Sequence, residues 1–233
     1  MSQPLPRRAA LATLFGASAG LMAVPALAWH DGHTRTPRAP RSQTPQQTGP
    51  QAEAQFGSVP LLETDFVLGD AEAPVTIIKY GSLTCPHCAA FHEATAAHLK
   101  SHHIPEGRVQ YIHRHFPLDQ PAMAGAMLLH CGDSNQDRFF ALLDILYSEQ
   151  ADWGTASDPI DALRSIAART GINGDTFNAC LSDRALADRI IAERDEGSET
   201  YGVRATPTLL VNGGRYSGNL NVAQLETVLD QVG

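Results

Sequence analysis

Long hydrophobic runs are scarce in this chain of 233 residues. Beyond residue 28 none reaches the roughly 20 apolar residues that a membrane-crossing helix needs, so no helical span is expected there. Basic charge is also in short supply, with 17 Lys and Arg against 25 Asp and Glu. That balance repels nucleic acid and anionic lipid and suits solubility. Cysteine is sparse: four residues are too few for the disulfide-dense scaffold of a small secreted domain. No internal repeat is found.

What is present begins with an export signal. Arg7 and Arg8 precede the small and apolar run AALATLFGASAGLMAVPALA, which ends at Ala26-Leu27-Ala28, an A-x-A cleavage pattern. Residues 1–28 are therefore expected to be a signal peptide, with a soluble, exported protein starting near Trp29. The paired arginines point to the twin-arginine route, but Pro6 stands where Ser or Thr is usual, which leaves that route and the general secretory one both open. Removing the signal lowers the 17 basic side chains to 15 against 25 acidic ones. From His30 to about Ser58 the chain is crowded with Pro, Gln, Thr and Gly and nearly empty of large apolar residues. It cannot bury enough surface to offset its ordering entropy. Residues 29–60 are thus expected to be a disordered linker, and 61–233 a single domain.

Within that domain a short extended piece is expected at Asp65 to Leu68, followed by a buried strand over the β-branched run from Val75 to Ile78. The segment CPHC comes next, with Pro86 suited to the first turn of a helix. Cys88, Phe91, Thr95 and Leu99 share one face by helical spacing, with His92 and His98 beside them. In RVQYIHRHF, residues 108–116, Val109, Tyr111, His113 and His115 alternate with Gln110, Ile112 and Arg114, as a strand requires. Strand, helix and strand make a unit of parallel-sheet type.

From about 118 to 197 only helices are expected. Ser134 is placed to cap a helix carrying Phe139, Phe140, Leu143 and Leu146, and Asp158-Pro159 opens one that closes at Gly171. Shorter helices run from Thr176 to Leu181 and from Arg184 to Glu196. Extended structure returns at 206–218, where Asn212-Gly213 is a hairpin-turn signal. Asn221 then starts the last helix, with Gln224 placed for a capping box.

A C-x-x-C at a helix start has a direct chemical reading. Cys85 sits at the N-terminus, where unpaired N–H groups and the macrodipole favour an anion, so its thiolate should be stabilised and exposed. Cys88 lies one turn on, on the buried face, within reach of a disulfide. His87, charged or donating, favours the thiolate and with it the reduced form, and a dithiol stabilised when reduced is a stronger oxidant when paired. Two rivals compete. Zinc usually needs four ligands, while Cys131 and Cys180 stand alone, so no metal site is assigned. A purely structural disulfide explains the two cysteines but not their placement at a helix start.

LGDAEAPVTIIKYGSLTCPHCAAFH, then RHFPLD, then YGVRATPTLLVNG, resembles the DsbA branch of the thioredoxin superfamily, in order and over residues 61–233. The resemblance implies an α/β thioredoxin fold with an inserted all-helical domain at about 118–197. It implies Cys85 as the nucleophile of mixed disulfides, Cys88 as the resolving thiol, Pro86-His87 as the tuning dipeptide, and Thr206-Pro207 as a cis-proline loop that holds substrate backbone. It also implies a second pair, Cys131–Cys180, as a structural bridge in the insert. One position departs from the family: six residues before Cys85, where a buried acid is common, stands Lys79. Three readings are open for it: a buried amine of lowered pKa relaying a proton, a charged amine paired with an acid, or a side chain snorkelling to solvent.

The chain is therefore read as a periplasmic thiol-disulfide oxidoreductase, a dithiol oxidase acting on reduced, unfolded exported proteins with free cysteines. It is expected to be a monomer, to need no cofactor and to bind no nucleic acid, with a membrane reoxidant of the DsbB type. An isomerase or reductase using the same site is the alternative, favoured by the threonine before Pro207. A non-catalytic metal-handling or chaperone module is the alternative of another class. The ten histidines, including His30, His33, His102, His103 and the pair His113/His115, have no common ligand spacing on one element and are read as solvated or core residues.

Overall fold

The computed structural model describes residues 49–132 and 134–233. The expected signal peptide, Trp29, His30, His33 and most of the expected linker lie outside the described residues. Six strands form one mixed sheet: β1 (Ala54–Gln55), β2 (Val67–Leu68), β3 (Val75–Gly81), β4 (Val109–His115), β5 (Thr208–Val211) and β6 (Gly214–Ser217), in the order β1-β6-β5-β3-β4-β2. β3 and β4 run parallel at the centre; β5 lies antiparallel on the other side of β3, and the short strands close the edges antiparallel.

α1 (Pro86–Phe91) leaves β3 and continues through two wide i→i+5 turns, His92–Ala96 and Leu99–His103, before β4. Cys88, Phe91, Thr95 and Leu99 are all buried along it, as their spacing predicts. Between β4 and β5 stand α2 (Gln120–Leu129), α3 (Gln136–Ser148), α4 (Gln150–Gly154), α5 (Pro159–Arg169), α6 (Gly174–Leu181) and α7 (Arg184–Glu199). α8 (Val222–Val232) ends the fold behind the predicted Asn221/Gln224 capping box. The hairpin turn is as expected, with Asn212 at φ 44° and Gly213 at φ 80°.

β4 alternates as predicted, yet all seven of its residues are buried. Val109 and Tyr111 join the large core with Phe91, Leu99 and Leu143, while Ile112 joins a smaller cluster on the opposite face with Tyr80 and Tyr201. Arg114 faces the second side and is saturated. Its guanidinium donates to both carboxylate oxygens of Asp65 (3.1 and 2.7 Å), to Tyr80 Oη (3.0 Å), to Glu196 (3.3 Å) and to the Pro60 carbonyl (2.8 Å).

Three expectations need correction. The disordered linker does not extend to 60: Ala54–Gln55 pairs with β6, and Phe56 packs edge-on against Tyr201 with ring centres 5.4 Å apart. Pairing along an open sheet edge, with Glu53 N bonded to the Arg215 carbonyl (2.8 Å) and Phe56 N to that of Gly213 (2.9 Å), orders this stretch together with the packed aromatic, whatever its average composition. The cap of α3 is Asn135, whose side chain accepts from Arg138 N, because Ser134 is already donating to the Leu129 carbonyl. α6 begins earlier than Thr176, since Asn173 caps it through Thr176 N.

Candidate active site

Cys85 is the N-cap of α1, in extended conformation (φ −80°, ψ 117°), with Pro86 at the first helical position. Its carbonyl accepts from Cys88 N (3.0 Å) and Ala89 N (3.2 Å), so the first turn forms directly on the cysteine. Its side chain, however, is only 7% exposed, which corrects the expectation of an exposed sulfur. The loop before β5 covers it: Cys85 Sγ donates to the Thr206 carbonyl at 3.3 Å. The register Tyr80↔Thr208 between β3 and β5 brings that loop there, and the Thr206-Pro207 bond is cis. Cys88 is fully buried.

The two sulfurs have opposite electrostatics. A hydrogen bond from Cys88 lowers the Cys85 pKa to about 5, aided by the Thr206 side chain and the N–H groups of Cys88 and His87, against the opposing effect of burial. Burial, and then the hydrogen bond given to Cys85, hold the Cys88 thiol well above the ordinary range. His87 contributes through its backbone; its imidazole is exposed and makes no hydrogen bond to Cys85. The Cys88 thiol is thus the largest single stabiliser of the Cys85 thiolate, and the N–H groups of the helix start add to it. Three residues that sequence reasoning missed hold the loop. Gln150 Nε2 donates to the carbonyls of Leu83 (2.7 Å) and Cys85 (3.0 Å), Tyr147 Oη to that of Ser82 (3.4 Å), and Thr84 Oγ1 to Asp119 Oδ2 (2.8 Å).

A strand feeding a cysteine N-cap, a helix to a parallel strand and a proline loop against the sulfur is an arrangement found among known proteins. The thioredoxin family profile matches residues 61–231. The chain belongs to the thioredoxin family. Within it the chain is DsbA-like: it is similar to Wolbachia pipientis alpha-DsbA1 at 31% identity and a TM-score of 0.68, covering 74% of this chain and 92% of that one. A structure of a protein-disulfide isomerase from Novosphingobium aromaticivorans is similar at 26% identity and a TM-score of 0.63, covering 74% of this chain and all of that one. A Rickettsia bellii protein assigned as a protein-disulfide oxidoreductase is 27% identical over 170 residues, which span 72% of this chain and 64% of that protein.

In this DsbA-like chain Lys79 is the unusual feature of the site. It is fully buried, and among the described residues its Nζ has no hydrogen-bond partner. The snorkelling reading fails because the side chain is fully buried, and the paired-acid reading because among the described residues no Asp or Glu bonds the amine. The amine instead lies 4.2 Å from the Tyr147 ring centre and 5.2 Å from that of Phe91. Desolvation lowers its pKa to about 8, partly offset by attraction to Cys88 and then Cys85. Gly81 makes the room: a Cβ there would stand 2.8 Å from Lys79 Cε and 2.9 Å from His113 Cε1. Tyr147 and His92 stack at 4.7 Å, and His92 Nε2 meets Asp144 Oδ1 at 2.5 Å, so aromatic and polar groups line the way from Lys79 towards the surface.

Cys131, after α2, and Cys180, in α6, are joined by a disulfide with Cα atoms 5.6 Å apart. The bridge lies in the helical insert. His113 and His115 are core residues, with burial holding both well below the ordinary histidine range. Among the described residues no helix is long and apolar enough to cross a membrane.

Proposed function

We propose that this chain is an exported protein-disulfide oxidoreductase working in the periplasm as a dithiol oxidase. Its substrates are reduced, unfolded exported proteins with free cysteines. The observation that carries this reading is the contrast between a Cys85 thiolate held at a pKa of about 5 and a buried Cys88 that keeps its proton. A dithiol stabilised in its reduced state is an oxidant when paired.

A substrate thiolate attacks Cys85 Sγ of the Cys85–Cys88 disulfide. The S–S bond breaks, a mixed disulfide forms, and Cys88 leaves with the electron pair and takes up a proton. The second substrate thiolate attacks the substrate sulfur of the mixed disulfide and expels Cys85 as a thiolate, a good leaving group because of its low pKa. The substrate leaves oxidised and the enzyme reduced, and a membrane reoxidant of the DsbB type restores the disulfide. Lys79, buried beside both sulfurs, gives and takes the proton of Cys88; Thr206 and Pro207 hold the substrate backbone across the site. No cofactor enters these steps. The chain acts as a monomer, residues 29–48 having the composition of a tether rather than of a dimerisation domain, and its route of export is the Sec or twin-arginine one.

An isomerase or reductase is the second reading, favoured by Thr206 before Pro207. The test is the reduction potential of the Cys85–Cys88 pair against glutathione: a value near −120 mV supports the oxidase, and one near −270 mV a reductase. Cys85→Ser should abolish dithiol exchange. Turnover surviving that change would sink the catalytic reading in favour of a module that only holds metal or client chains.

A further inference from the structure

At the end of the molecule where α1 runs out, two histidines of that helix converge on one carboxylate of α8. His98 Nε2 lies 2.6 Å and His103 Nε2 2.7 Å from the same oxygen, Glu226 Oε1. Residues five apart on a regular α-helix point about 140° away from each other. Here the wide turn at Leu99–His103, with Ile104 N bonded to the Leu99 carbonyl at 3.0 Å, narrows that angle and puts both imidazoles on one side. The His98 ring is braced by His102, stacked at 4.2 Å and itself held through Nδ1 to the His98 carbonyl at 3.1 Å.

We propose that His98, His103 and Glu226 form a binding site for a divalent transition-metal ion, zinc by its ligand chemistry. Two imidazole nitrogens and one carboxylate oxygen are a three-ligand set that zinc accepts with water in the fourth place. The three ligating atoms already lie within 4.8 Å of one another. Tetrahedral bonds of 2.0–2.2 Å put ligand atoms about 3.3 Å apart, so each imidazole contact with Glu226, now 2.6 and 2.7 Å, needs to open by about 0.6–0.7 Å. Burial is graded as such a site needs: the His103 side chain is 5% exposed, while His98 at 23% and Glu226 at 37% leave a solvent side for entry and for the water. Among the described residues no Lys or Arg pairs with Glu226, so the metal would be the carboxylate's only fixed cation. The ion would cross-link the helix that Cys85 caps to α8, 123 residues along the chain from His103.

The test is a Zn²⁺ titration of the full, oxidised protein stripped of metal by a chelator, so that Cys85 and Cys88 are paired and cannot ligate. It is followed by calorimetry and by the thermal midpoint. The proposal expects one zinc bound per chain and a raised midpoint. Glu226→Gln, a near-isosteric change at a part-exposed position, and the double change His98→Gln with His103→Gln should each weaken binding by at least about tenfold and remove the shift, with the metal-free thermal midpoint of each variant reporting that it is folded. His30→Gln with His33→Gln should leave both readouts as they are. No binding, or binding unchanged in Glu226→Gln and the double variant, would overturn the site; loss with the His30/His33 variant alone would assign the metal to that segment instead.

Discussion

The Lys79 amine lies over two aromatic rings and is attracted to both active-site sulfurs, and among the described residues it has no hydrogen-bond acceptor. An unsatisfied buried polar group costs about 1–3 kcal/mol, so its presence opposes stability and calls for a use at the site. Lys79→Met should therefore stabilise the fold by about 1 kcal/mol, seen as a higher denaturant midpoint. Lys79→Glu replaces an attractive charge near the sulfurs with a repulsive one and should raise the Cys85 pKa from about 5 by about one unit or more, each unit being 1.4 kcal/mol. Ultraviolet absorbance of the thiolate against pH reads this directly, and an unchanged titration would remove Lys79 from the chemistry. The residue was visible as an oddity from its spacing to Cys85. Its state was not, because whether a lysine at a strand end reaches water depends on Phe91 and Tyr147, one on the following helix and one about 70 positions further along the chain.

At the scale of elements, the helical insert is tied by Cys131–Cys180, at a sequence separation of 49. Closing a loop of that length in the unfolded chain is worth about 4 kcal/mol in the chain-entropy model. Replacing both cysteines with alanine should lower unfolding stability by up to that amount while leaving the Cys85 thiolate titration unmoved, since the bridge touches neither sulfur of the active pair. A shifted titration would mean that the insert transmits strain to the loop. Elements with strong local signals were legible: the β-branched run of β3, the alternation of β4, the Asp158-Pro159 start of α5 and the capping box of α8. α2 carried no clear face, because it is built of Ala122, Ala124, Gly125 and Ala126, which earn their burial by closeness rather than by size. A Cβ on Gly125 would come within 2.9 Å of Leu83 in the active-site loop. The wide turns of α1 also left no mark in the sequence, which contains neither proline nor glycine there.

The whole molecule has a pH dependence that its buried imidazoles set. Burial lowers His92 and His130 to about 4 and holds His113 and His115 well below their ordinary value. Their folded pKa values lie under the unfolded one, so between about pH 6.5 and 4 the unfolded chain binds more protons and stability falls as pH falls, by about 1.4 kcal/mol per unit for each histidine fully in that window. Glu193 acts the other way. Burial raises it to about 8, so its contribution is complete below the unfolded carboxylate value and is lost as pH rises to 8. Four groups outweigh one, and the oxidised protein, in which Cys85 and Cys88 do not titrate, should show a markedly lower denaturant midpoint at pH 5 than at pH 7. Equal midpoints would contradict the burial of the imidazole cluster. By itself the sequence determined the family, the helix start under Cys85 and the inequality of the two cysteines, because these depend on residues within one helical turn of each other. Only the tertiary structure decided that Cys85 is covered by Thr206, that Lys79 is sealed beneath the pair, and that His98 and His103 meet Glu226. Those contacts join residues far apart in the chain, and packing of strands and helices, not local spacing, brings them together.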